Sequence, residues 1–291
     1  MQYLKLFGKR KDVICVDDLS NDVVVHVRKG GFEFLQFRKL LELGVKHAYS
    51  LKPYSFNTRP GFVDSEIDEK SRQNYIDFCE VLGIDFNHLT KPNQTHTNIV
   101  KTVDNLSGKM IIEEGKYIDV DGLVTDIMGA SLATVNADCI LLLLYDPVKK
   151  VIGNIHSGWR GTFSKISENT VKEMVQKYGC NAEDIIVCIC PSIRKCHFEV
   201  KQDVKNMCEE IFDYTNRLKD IIEYTGKDEN NIDKWKIDTV LITKILLEDC
   251  GIKEENIYDC GICSFCNSKQ VHSCRADGTE CGLRGTAIIS L

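Results

Sequence analysis

The sequence has no excess of positive charge: 37 lysines and arginines face 43 aspartates and glutamates, a formal net charge of −6. Without a basic stripe, a nucleic-acid backbone is not an expected partner. Long apolar runs are also missing. Even residues 140–145, ILLLLY, fall far short of the roughly 20 residues that a membrane-spanning helix needs, so no membrane partner is expected. The opening stretch MQYLKLFGKRKDVICV carries no long apolar segment behind its charges and is not read as a signal peptide. No internal repeat and no composition break marks a linker, so residues 1–291 are read as one domain. Cysteine, by contrast, is plentiful, at 14 residues. With no export signal, that usage points to free thiols in a reducing cytoplasm rather than to a disulfide scaffold.

Helical and strand patterns alternate along the chain. Residues 22–27 (DVVVHV) read as a strand, in which His26 is structural, and Gly30 and Gly31 break it. Residues 32–43 have helical spacing before Gly44, and residues 45–50 form a short strand. Residues 65–82 form an amphipathic helix stopped by Gly83. Strands are expected at 123–125 and 184–190, helices at 162–178, 199–213 and 237–250, and a short strand at 257–259. Residues 214–234 are polar and read as a surface excursion. This mixture favours an α/β fold: a layered mixed-sheet sandwich with flanking helices.

The most informative stretch is residues 121–162. Cys139 precedes the apolar run 140–144, and His156 follows a second run, 151–155. Between them stands Asp146, Pro147, Val148 and Lys149, a turn opener, so the two runs read as an antiparallel hairpin. With the turn centred between Pro147 and Val148, Cys139 and His156 oppose each other, their Cβ atoms roughly 4.5–5.5 Å apart. That spacing suits two ligands of one metal ion. It suits equally a Cys–His nucleophile pair, and a buried cysteine beside a chance histidine is the plain alternative. His96, a lone histidine before a strand, is by itself uninformative. Asp138 and, less strongly, Asp121 could orient imidazoles or move protons. Gly158 and Gly161 before a helix make an anion pocket in which Trp159 could stack on a base and Arg160 could meet phosphate.

Several of these motifs carry a resemblance. Ala137, Asp138 and Cys139 before an aliphatic strand, then His156, Ser157, Gly158, Trp159, Arg160, Gly161 and Thr162, resemble the core motif of the laccase-domain family. Once called multicopper polyphenol oxidases, its members are now described as zinc-dependent purine nucleoside phosphorylases with adenosine deaminase activity. The likeness extends to Ser55, Phe56 and Asn57 with Asp64 and Asn74, to Gln94, Thr95 and His96, to residues 190–193 and 198–200, and to residues 272–278 with Gly282 and Arg284. The resemblance implies metal ligands His96, Cys139 and His156, catalytic roles for Cys139 and Asp138, and substrate contacts from Lys52, Asn57 and Arg160. It implies zinc as cofactor, with copper a weaker expectation: the chain has seven histidines and none of the paired H-x-H motifs of multicopper oxidases. The substrates would be a purine nucleoside and phosphate, with methylthioadenosine cleavage and adenosine deamination as related activities.

Where the family usually shows a Thr-Arg pair and a Gly-Gly-x-Ser turn, this chain has Leu51, Lys52 and Pro53. Lys52 would replace the arginine with a charge that lacks its two-pronged fork, and Arg59 is a nearby substitute. A metal-free cysteine hydrolase or deamidase using Cys139 and His156 is the alternative reading, because the family's fold resembles that of a bacterial deamidase toxin. Editing of peptidoglycan precursors would keep the site and change the substrate. Finally, Cys260, Cys263 and Cys266 form C-x2-C-x2-C, with Cys274 or Cys281 as a possible fourth ligand. The spacing departs from the ferredoxin pattern, and the preferred reading is thiols accumulated in a reducing compartment.

Overall fold

The computed structural model describes residues 14–15, 19–57, 66–106, 117–278 and 282–291. Asp64, Arg59 and Cys281 lie outside them. Among the described residues the strands form three sheets. The first has the order β1 (Ile14–Cys15), β2 (Val24–Lys29), β3 (Phe32–Phe37), β4 (Lys46–Ser50), β16 (Gly285–Ser290), β8 (Ser131–Asn136) and β5 (Leu89–Thr90). The second runs β15 (Ile257–Asp259), β11 (Ile186–Ile189), β9 (Ile140–Asp146), β10 (Val151–Ser157), β7 (Gly122–Thr125) and β6 (Val100–Thr102). A third, small sheet joins β12 (Glu199–Val200), β14 (Asp233–Ile237) and β13 (Ile222–Lys227). The helices are α1 (Arg38–Glu42), α2 (Glu66–Leu82), α3 (Trp159–Phe163), α4 (Ile166–Tyr178), α5 (Gln202–Phe212), α6 (Leu218–Ile221), α7 (Thr239–Asp249) and α8 (Cys274–Asp277). Both large sheets mix parallel and antiparallel pairs, as the alternation of patterns implied.

The two large sheets pack face to face. Leu35, Tyr49, Leu132, Ala287 and Ile289 of one meet Leu123, Leu141, Leu143 and Ile152 of the other in one apolar layer. The remaining face of each sheet is covered by helices. Tyr75, Phe78 and Cys79 of α2 lie on Phe34, Ala48 and Ile288, and Val171 and Met174 of α4 and Leu247 of α7 lie on Leu142, Leu144 and Val151. This explains why residues 140–145 are apolar without alternation: odd positions fill the inter-sheet layer and even positions face the helices, so β9 is buried on both sides. Among the described residues no helix is long and apolar enough to cross a membrane.

Four local expectations are corrected. Residues 32–37 form β3, not the start of a helix. Gly30 and Gly31 both take positive φ, 56° and 83°, and close a two-residue hairpin that pairs Lys29 with Phe32; such a turn needs left-handed backbone at both positions. The helix expected over 162–178 is two helices, broken at Lys165, which adopts φ 63°. Helices expected from residues 199 and 237 begin at Gln202 and Thr239, because Glu199 and Ile237 are strand residues of the small sheet. That sheet also orders much of 214–234.

Candidate metal centre and its cleft

The hairpin of β9 and β10 exists, but its register differs from the one expected. Asp146 pairs with Val151 and His156 pairs with Leu141, so the loop is four residues rather than two. The Asp146 carboxylate accepts the amides of Val148 and Lys149 at 2.8 and 2.9 Å, and Lys150 closes the turn with φ 57°. Cys139 is therefore diagonal to His156 rather than opposite. A two-residue slip preserves the face, because strand side chains alternate with period two, and the two side chains still meet at the end of the inter-sheet layer.

His96 arrives from the loop before β6. Gln94 fixes that loop by exchanging two hydrogen bonds with the backbone of Val135, at 2.7 and 2.8 Å. Nε2 of His96 then lies 3.8 Å from Sγ of Cys139. One ligand atom from each of His96, Cys139 and His156 fits within a mutual 4.8 Å. Bond lengths of about 2.3 Å to sulfur and about 2.0–2.1 Å to nitrogen place tetrahedral sulfur and nitrogen ligands about 3.6 Å apart, so the three donors fit one ion. Gly158 makes the convergence possible: a Cβ there would lie 2.5 Å from Cδ2 of His96 and 3.3 Å from Sγ of Cys139. Its backbone, φ −64° and ψ 165°, would accept any residue, so the constraint is purely steric. Gly158→Ala is expected to displace His96 and weaken metal binding about tenfold or more while costing about 1–3 kcal/mol of stability; metal titration beside a thermal melt checks both.

The carboxylate behind the site is Asp121. It is fully buried. Its Oδ1 accepts Nδ1 of His156 at 2.6 Å and the amide of His96 at 3.1 Å. Its Oδ2 accepts the amides of Thr95 and Thr97 at 3.1 and 2.8 Å and the Thr97 hydroxyl at 2.9 Å. One side chain thus fixes the loop of the first histidine and the tautomer of the second, leaving Nε2 of His156 to face the site. Asp138 instead accepts Ser264 and Ser273 hydroxyls, both at 2.6 Å, and the amide of Arg275 at 2.7 Å. It tethers the C-terminal segment beside Cys139.

Without metal, burial raises the Cys139 thiol and lowers the His156 imidazole, but their mutual attraction outweighs it. Cys139 is brought down to about 6, and His156, also held by Asp121, is pushed up to about 9. The pair is then a thiolate and an imidazolium between those values. A metal needs the thiolate and a neutral imidazole. Binding between about pH 6 and 9 therefore displaces the His156 proton, and below about 6 it displaces that of Cys139 as well. Metal affinity is expected to rise with pH, about tenfold per unit across that window and more steeply below it, as competition titrations at several pH values would show.

Beside Cys139 and Asp138 opens a cleft walled by Trp159, Ile193, Phe198 and Arg275. The guanidinium of Arg275 donates to the carbonyls of His197 and Glu199 at 3.0 and 3.4 Å. Nothing local in sequence brings residues 198 and 275 together, so motif spacing alone does not reveal Phe198 and Arg275 as cleft residues. The three expected substrate contacts are placed differently. Lys52 donates to Asp277 at 2.8 Å and to the carbonyl of Ser268 at 2.7 Å. Asn57 donates to the carbonyl of Gly282 at 2.6 Å. Arg160 is exposed, with its guanidinium 4.2 Å above the Trp159 ring.

The chain resembles known proteins in sequence and in fold. Residues 44–291 match the family described as multi-copper polyphenol oxidoreductase laccase. The chain belongs to that family. It is 33% identical over 173 residues to human purine nucleoside phosphorylase LACC1, a match that covers 56% of this chain and 36% of the human protein. The chain thus spans little more than a third of that relative. It is 28% identical over 236 residues to purine nucleoside phosphorylase YlmD of Bacillus subtilis, covering 80% of this chain and 81% of YlmD. In fold it is similar to YlmD from Geobacillus stearothermophilus, with TM-score 0.72, 21% identity, and coverage of 88% and 95% of the two chains.

Proposed function

We propose that this chain is a zinc-dependent purine nucleoside phosphorylase that works in the cytoplasm. The observation that carries the reading is the convergence of His96, Cys139 and His156, backed by Asp121, at the mouth of a cleft with aromatic walls. It is supported by the printed names of the relatives. Zinc held by three protein ligands supplies Lewis-acid polarisation at its open position.

The chain's own groups do the rest. Trp159 and Phe198 line the cleft and are the aromatic side chains a purine would meet there. Arg275, which lines the cleft, and Arg160, exposed against the Trp159 ring, are the positive charges nearest for phosphate. Asp138 acts by positioning Arg275, since its lone pairs already accept three hydrogen bonds from Ser264, Ser273 and Arg275. Asp121 holds the His156 proton on Nδ1 throughout. In phosphorolysis a phosphate oxygen bonds to the anomeric carbon, the bond from that carbon to the base nitrogen breaks, and the base leaves with a proton. Lys52 already meets Asp277, so it is a weaker candidate for the phosphate contact than Arg275.

Zinc-loaded protein is expected to convert inosine or adenosine, only when phosphate is present, to free base and a pentose phosphate resolved by chromatography. Conversion of adenosine to inosine without base release would make deamination the main activity. No turnover of either nucleoside would sink the reading. The metal-free hydrolase remains the second reading because Cys139 and His156 form a thiolate–imidazolium pair, the state in which a cysteine nucleophile attacks. His96 is surplus to that dyad, so it decides between the two.

A further inference from the structure

We infer that Cys196, His197, Cys263 and Cys266 form a second, structural zinc site, separate from the Cys139 centre. The four offer ligand atoms that all lie within 4.8 Å of one another. Sγ of Cys196 is 3.6 Å from that of Cys263 and 3.9 Å from that of Cys266. Nδ1 of His197 is 3.2, 3.4 and 4.0 Å from the sulfurs of Cys196, Cys266 and Cys263. A tetrahedral zinc with bonds of about 2.3 Å to sulfur and about 2.0–2.1 Å to nitrogen demands edges of about 3.8 Å between sulfurs and about 3.6 Å from sulfur to nitrogen. The five observed distances scatter around those two values. They are far longer than the bond of about 2.05 Å that would make any pair a disulfide. They also suit a single ion better than an iron–sulfur cubane, whose ligands sit on separate irons.

The surroundings are organised for ligation. Cys263 and Cys266 form a C-x2-C turn, and backbone amides of Cys266 and Arg194 hydrogen-bond the Cys263 sulfur. The His197 ring is stacked on Phe265 at 4.1 Å and 20°. The segments are already paired: Ser192 bridges to Cys263, and the amide of Ser264 donates to the carbonyl of Ser192 at 3.0 Å. Four protein ligands leave no open corner, which is the mark of a structural zinc. The C-x2-C-x2-C pattern supplies only two members of the group. Cys260 is buried beside Arg194, and the missing ligands come from a segment some 65 residues earlier, Cys196 and His197.

The site has a consequence for the cleft. Cys263 adjoins Ser264, which holds Asp138, and His197 adjoins Phe198 and accepts from Arg275. Zinc here would lock the wall that carries Phe198 and Arg275, whatever reaction the cleft serves.

Elemental analysis of the full-length protein, purified under reducing conditions with zinc, is expected to give two equivalents per chain. Cys139→Ser should keep one, and its cobalt-substituted form should show the intense absorption of a tetrahedral thiolate site. Cys263→Ser with Cys266→Ser should lose that equivalent and keep the one at Cys139. If the double variant does not fold, the Cys139→Ser sample still decides. Cys139→Ser protein without metal, iron in place of zinc, or a disulfide among Cys196, Cys263 and Cys266 would each overturn the assignment.

Discussion

His96→Ala is expected to remove the metal from the Cys139 centre and cut phosphate-dependent nucleoside cleavage by about a hundredfold or more. His96 is an exposed residue, and its removal opens no cavity. It holds φ 66°, which alanine tolerates at a cost on the order of 1 kcal/mol, so the thermal midpoint of metal-free protein should hardly move. The double reading of Cys139 and His156 gives this variant its value. A thiolate–imidazolium dyad oriented by Asp121 needs nothing from residue 96 and would keep its activity. Steady-state assays on the variant, before and after metal loading, separate the two. Activity near that of the parent would discard the metal account, while loss of activity with an intact fold supports it.

The second large effect is expected at Asp121. Asp121→Asn replaces one carboxylate oxygen with a donor, yet every group around that side chain also donates: His156 Nδ1, three amides and the Thr97 hydroxyl. Whichever way the amide is turned, a donor faces a donor. The expected cost is about 3–5 kcal/mol of stability, with about 10–100-fold weaker metal binding. The pH dependence provides a second signature. Burial raises the Asp121 carboxyl, but its bonds to His156 and Thr97 outweigh that and hold it below the ordinary carboxylate range. A depressed folded value means stability that is present above the unfolded value, near pH 3.8, and lost as pH falls through the folded one. The parent should lose this contribution in acid and the variant should not have it. Chemical denaturation at neutral and acidic pH tests this. An unchanged midpoint at neutral pH would remove Asp121 from its place behind the site.

What the sequence reveals here follows from the range of each interaction. The nearness of Cys139 and His156 is legible because both belong to one hairpin, where turn chemistry and period-two alternation suffice to put them on one face. The register was misjudged by two positions because the Asp146 side chain reaches two amides into the loop, yet the face survived. Residues 32–37 were misread because helical spacing was followed and the left-handed capacity of Gly30 and Gly31 was taken only as a break. The different surroundings of Asp138 and Asp121 have a tertiary cause. Both are near ligands in sequence, but only the fold brings the amides of residues 95–97 to Asp121 and the hydroxyls of Ser264 and Ser273 to Asp138. Likewise, no local spacing could indicate that Cys196 and His197, on a distant segment, lie beside Cys263 and Cys266.

Anomalous scattering at the zinc edge, measured on crystals of the zinc-loaded protein, tests the central arrangement most directly. A peak is expected about 2.3 Å from Sγ of Cys139 and about 2.0–2.1 Å from Nε2 of both His96 and His156. A map in which zinc-replete crystals show no peak among these three side chains would contradict it.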